Sequence, residues 1–175
     1  TEGFNRHIYI NYAVPLSLGF EGVYEVMDIR LTDDDFSFEE TINRLNAAAP
    51  DDIEFLRAGE PVLPTVDISF AEYEFIFDPE NAPLYEKLGK FLSKESVICQ
   101  KKDKKGRIKE FDIIPKIKSA RIEGDKALLV LSAGNEGNLN PSLVLNAFFE
   151  ETNTAPVFCS VKRLMLFDKD LKPFI

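Results

Sequence analysis

Apolar positions alternate with polar ones at the start of the chain. Ile8, Ile10, Tyr12 and Val14 interleave with His7, Tyr9, Asn11 and Ala13, the period of a half-buried strand rich in β-branched and aromatic residues. A turn follows, marked by Pro15, Gly19 and Gly22, and 23–31 reads as a second strand forming a hairpin with the first. The period then changes. Ser37 is placed to cap a helix and Glu40, three residues on, to complete a capping box. Phe38, Ile42, Leu45 and Ala49 form its apolar stripe, and Pro50 ends it. Residues 53–58 read as a strand and the proline-containing stretch 59–67 as a linker.

From Ile68 the alternation resumes. A strand over 68–77 precedes a helix with Leu84, Leu88, Phe91 and Leu92 inward. Strands at 97–102 and 108–114 flank a basic turn at 103–106, and another strand pair turns at Gly124–Asp125. Asn140 and Pro141 start a further helix, cap and first helical position respectively, and 157–167 closes the chain as a strand. Strand, helix, strands, helix, strand is the order of a ferredoxin-like βαββαβ unit with a β element inserted. Residues 7–58 match the second half of such a unit, without its opening strand and helix. The expectation is therefore α+β: two tandem ferredoxin-like modules with antiparallel sheets, the first truncated. The divisions fall at 1–58, a linker over 59–67, and 68–175. An opening strand missing from the first sheet leaves an unpaired edge, which favours homodimerisation strand to strand.

Charge sharpens this picture. The 175 residues carry a net charge of −9, yet 101–121 holds nine basic and three acidic residues. An acidic body with one basic ribbon does not suit a protein that coats nucleic acid. It is compatible with a grip on a few phosphates or an acidic partner surface, and equally with a solvated hairpin tip whose lysines keep a sheet edge from aggregating. Lys101, Lys102, Lys104, Lys105, Arg107 and Lys109 are the candidates, and Asp112 lies just beyond them. The single histidine, His7, sits beside Asn5 and Arg6 with Tyr9 close by, and these four are candidates to contact a ligand or partner. No serine or cysteine nucleophile stands at diagnostic spacing to a base and its orienting acid, so no catalytic residue is assigned.

Cys99 and Cys159 each lie in an apolar run and read as buried free thiols. With one histidine they are too few for a conventional zinc site or an iron–sulfur cluster, so no metal site is assigned. Asp33, Asp34 and Asp35 precede a helix N-terminus, where anions are favoured by the helix dipole. No stretch approaches the ~20 apolar residues that cross a bilayer. The expected compartment is the cytoplasm, without membrane association.

The segment EGFNRHIYINYAVPLSLG, followed by YEVMDIRLTDD, a helix containing LNAAAP and a strand near IEFLRA, resembles the radical SAM-linked proteins. These are bacterial proteins encoded beside, or fused to, a radical SAM protein. KEFDIIPKIKSARI fits the aspartate near a proline that the family tends to carry in its second half. Arg6 stands where proline is common, and Tyr9 and Asn11 replace a lysine-containing stretch. Family members usually extend further at the N-terminus, so the resemblance implies an N-terminally truncated chain. It also implies an accessory or substrate-recognition module without independent catalysis. The radical SAM partner would carry the iron–sulfur cluster and S-adenosylmethionine, and this chain would need no cofactor of its own. Fold analogy adds RNA as a substrate class. The alternative is a small-molecule enzyme or ligand-binding protein built on the Asn5–Arg6–His7 hairpin.

Overall fold

The computed structural model describes residues 9–31, 35–102, 106, 108–134 and 137–174. The chain is α+β and divides into two compact units. One comprises Thr1–Tyr12 and Met27–Pro64, the other Ala13–Val26 and Thr65–Ile175.

In the first unit, β1 (Ile10–Tyr12) pairs antiparallel with β3 (Met27–Ile29), Asn11 opposite Asp28. The strand expected over 23–31 shrinks to these three residues. Its first part belongs instead to the second unit, where Glu21–Gly22 forms β2. Val14, expected to continue the first strand, is buried in the core of the second unit. Helix α1 (Phe38–Ala48) starts as its sequence requires, with the Ser37 hydroxyl accepting from Glu40 N at 3.3 Å. None of its residues is fully buried. Residues 53–58 form no strand. The Asn46 side chain takes over the main chain there, accepting from Phe55 N at 2.7 Å and donating to Phe55 O at 3.0 Å. The side-chain amide thus takes the place of a strand partner at Phe55.

The second unit holds the core. Its strands are β4 (Phe70–Phe77), β7 (Ile117–Glu123), β8 (Lys126–Ser132) and β9 (Cys159–Phe167). With β2 they form a five-stranded sheet in the order β2-β9-β4-β8-β7. Each of the last four strands runs antiparallel to its neighbours among them, and β2 joins parallel to β9. Helices α2 (Leu84–Leu92) and α3 (Pro141–Glu151) connect them. A two-stranded hairpin, β5 (Ile98–Lys102) with β6 (Ile108–Asp112), is inserted between α2 and β7 and forms its own sheet.

Strand β4 shows why the helices lie where they do. Ala71, Tyr73, Phe75 and Phe77 alternate into the core. Phe77 meets Tyr85 of α2 at a ring separation of 5.3 Å and Phe148 of α3 at 6.3 Å, so both helices cover this face. Burying a phenylalanine such as Phe75 or Phe77 contributes about 1.5–3 kcal/mol by leaving water. The Tyr85 hydroxyl accepts from Phe77 N at 3.0 Å and donates to Asp125 O, which pins α2 to the turn between β7 and β8.

The opposite face carries charge. Glu72 and Glu74 stand opposite Val130 and Leu128, both buried, on β8. Arg121 of β7 reaches Glu72 at 3.0 Å, and Lys126 reaches Glu74 at 3.1 Å. The Arg121–Glu72 pair spans β8, and Lys126, on β8 itself, ties that strand to β4; their long stems lie on the face that carries Leu128 and Val130. Lys162 adds a pair to Glu21 at 2.9 Å.

Candidate nucleic-acid interface

The hairpin β5–β6 stands on a braced base. Val97 and Cys99 are buried at one side and Ile113 at the other. Ile113 N donates to Val97 O at 3.0 Å. The Asp112 carboxylate accepts from Val97 N at 2.9 Å and Ile114 N at 3.0 Å. The Val97 N–H holds the Asp112 carboxyl below its ordinary value; desolvation opposes this, and bonds from Ile114 and Ser96 add to it. Asp112, a candidate contact residue from its sequence, is thus a carboxylate already occupied by the fold.

Above this base the hairpin becomes exposed and basic. Ile98, Ile108, Lys109 and Glu110 face solvent. The register sets Lys101 opposite Lys109 and Lys102 opposite Ile108. Gln100 and Glu110, one pair nearer the base, bond to each other at 3.0 Å. Lys104, Lys105 and Arg107, the remaining basic candidates, lie outside the described residues.

The candidates near the start of the chain are not brought into a described site. Asn5, Arg6 and His7 lie outside the described residues. Tyr9 is exposed, and its carbonyl accepts from Arg30 N at 3.2 Å. Among the described residues, no group of three or more His, Cys, Asp or Glu is placed to hold a metal ion. Nor is any helix among them long and apolar enough to cross a membrane.

One cluster has no warning in the sequence beyond an arginine inside an apolar run. Arg163 of β9 is 1% exposed, the only buried charged residue among those described. Its Nε donates to Glu25 Oε1 at 2.8 Å, one Nη to the other Glu25 oxygen, and the same Nη to Val14 O at 2.6 Å. Burial works against its charge, but the bidentate Glu25 carboxylate outweighs it, helped by Tyr73, and the guanidinium is held above its ordinary value. Burial likewise pushes the Tyr73 hydroxyl up, against the pull of Arg163. The adjoining cavity, between Ser17, Phe20, Asn138 and Asn140, measures about 10 Å³. That is room for about one water, so this cluster fastens the 13–26 segment and is no ligand pocket.

The fold and the hairpin together define a mixed α+β protein. The chain belongs to the family described as uncharacterised protein conserved in bacteria (DUF2344), whose model matches residues 1–141. No curated protein and no solved structure matches it.

Proposed function

We propose that the protein is an accessory recognition module that holds RNA through the β5–β6 hairpin for a radical SAM partner. The observation that carries the reading is the hairpin itself. Its base is fixed by Asp112 and the core, its register sets Lys101 opposite Lys109, and it lies within a strongly basic stretch of an acidic chain. Phosphates lying along the hairpin would gain charge-assisted contacts from its basic residues. The outer sheet face does not compete for this role, because cross-strand ion pairs already occupy it. The radical SAM partner enters from the resemblance of 1–60 to the radical SAM-linked proteins. That partner supplies the cluster and S-adenosylmethionine; this chain supplies binding. The finer fold assignment goes with this reading. The strand order β9-β4-β8-β7, with α2 and α3 on one face, supports a ferredoxin-like second unit.

The test is retention of bulk tRNA by the full chain at about 50 and 200 mM salt. Three to five phosphate contacts predict a loss of roughly 20–500-fold between the two conditions, and Lys101→Glu with Lys109→Glu removes most of the binding at low salt. Binding that ignores salt, or survives the double reversal, disposes of the RNA half of the reading. Co-purification with the neighbouring radical SAM protein tests the other half.

A further inference from the structure

A cleft of about 400 Å³ runs beside β7. It is lined by Gly89, Leu92 and Ser93 on the α2 side and by Ile114, Ile117 and Ile122 on the other. Among the described strands β7 pairs only with β8. Its outer edge therefore presents a row of main-chain N–H and C=O groups along seven residues. Glycine is disfavoured inside a helix, yet Gly89 lies within α2 at the point where the helix faces Ile122. A Cβ there would stand 3.8 Å from Ile122 Cγ1, so any longer side chain would project into the cleft.

The two sides of β7 differ. Ala120 and Ile122 pair with Leu129 and Ala127, buried residues of β8. Ser119 and Arg121 alternate to the other side, where Lys118 lies over the Phe70 ring at 5.7 Å. A strand added at this edge alternates in the same way. One set of its side chains enters the apolar cleft, and the other meets Lys118. On the β7 side Lys118 stands outside the ion pairs among the described residues, whereas Arg121 already meets Glu72 and Glu123; on the α2 side Lys90 and Lys94 already meet Glu86 and Glu151. No aromatic residue lines the cleft, so it offers no platform on which bases stack.

We propose that the β7 edge and its cleft form a docking surface for an extended segment of a partner protein, alternating apolar and acidic residues, which joins the sheet as a further strand. This surface is distinct from the β5–β6 hairpin and does not depend on the RNA reading.

The test uses the full chain and a fluorescein-labelled, end-blocked peptide of about ten residues alternating valine and glutamate, followed by fluorescence anisotropy. Two control peptides are an alternating valine–lysine sequence and a block sequence with all glutamates preceding all valines. The expected result is binding of the alternating acidic peptide at least about tenfold tighter than either control. Gly89→Met, which fills the cleft from a helix that favours methionine over glycine, should weaken it by a similar factor. Lys118→Glu, at an exposed position, should do the same and serves if Gly89→Met does not fold. Equal binding of the block peptide, or undiminished binding to either folded variant, overturns the proposal. So does displacement of the peptide by single-stranded poly(U) whose own binding falls in Gly89→Met, since the cleft would then be a nucleic-acid site.

Discussion

At Gly134 the backbone has φ +84°, and a Cβ built there would stand 2.1 Å from the Ile68 carbonyl oxygen. A main-chain atom cannot swing aside, so Gly134→Ala should destabilise by more than about 2 kcal/mol. Gly19 has a similar φ of +86° with nothing within 4 Å, and Gly19→Ala should cost only the backbone strain, about 1 kcal/mol. Urea denaturation of the two variants checks the order; equal midpoints would refute the clash. The two thiols make a second residue-scale case. Burial pushes Cys159 up to about 12, against a bond from the Ile76 main chain, and raises Cys99 as well. Neither supplies thiolate at neutral pH, so both should resist iodoacetamide until the protein is unfolded. Rapid labelling of the native chain at pH 7.5 would contradict this. Such residues differ in how plainly the sequence shows them. Ser37 and Asn140 declare themselves as caps through local spacing, and both act as caps. The demand on Gly134 comes from Ile68, sixty-six positions away, and no local pattern carries it.

At the scale of elements, the β5–β6 hairpin depends on one carboxylate at its base. Asp112 is held below its ordinary value, so its contribution is present above that value and lost as pH falls through the folded-state value. The base should be insensitive to pH from neutrality down to about 5 and loosen in stronger acid. Hydrogen exchange at Val97 and Ile114 reads this directly. Asp112→Ala should accelerate both amides at neutral pH, and the difference from the parent chain should shrink once the pH has fallen far enough to protonate the folded-state carboxylate. A difference independent of pH would assign the bracing to something else. The elements of 68–167 were legible in order and type because long alternations and capped amphipathic stretches dominate there. Residues 23–31 and 53–58 misled, since short apolar runs carry strand character that neighbours must realise. Residues 53–58 met the Asn46 amide instead, and 23–26 went to another unit. The hairpin's basic character was legible in the sequence; its register, which sets Lys101 against Lys109, came from folding.

For the molecule as a whole, the Arg163–Glu25 pair holds an early segment to the last strand across 138 positions. The two partners are not equivalent. Arg163 is 1% exposed, whereas the Glu25 side chain is 34% exposed. Removing the acid strands a buried cation, so Glu25→Ala should cost about 3–5 kcal/mol. Arg163→Met leaves a carboxylate able to reach water and should cost less. The reverse order in chemical denaturation would show that the pair does not stabilise the unit in this way. Composition foretold an acidic chain with one basic sector, and alternation foretold an α+β protein. Neither foretold that 13–26 would leave its sequence neighbours, because the attraction lies in an arginine 138 residues beyond its partner. That interleaving has a practical outcome for anyone dividing the polypeptide. A fragment beginning at residue 65 has lost Glu25, the Val14 carbonyl and the outermost parallel strand together, and inherits a naked guanidinium in its interior. Cutting the peptide bond at 64–65 instead leaves both pieces whole in content, since every atom that neutralises Arg163 is still in the tube.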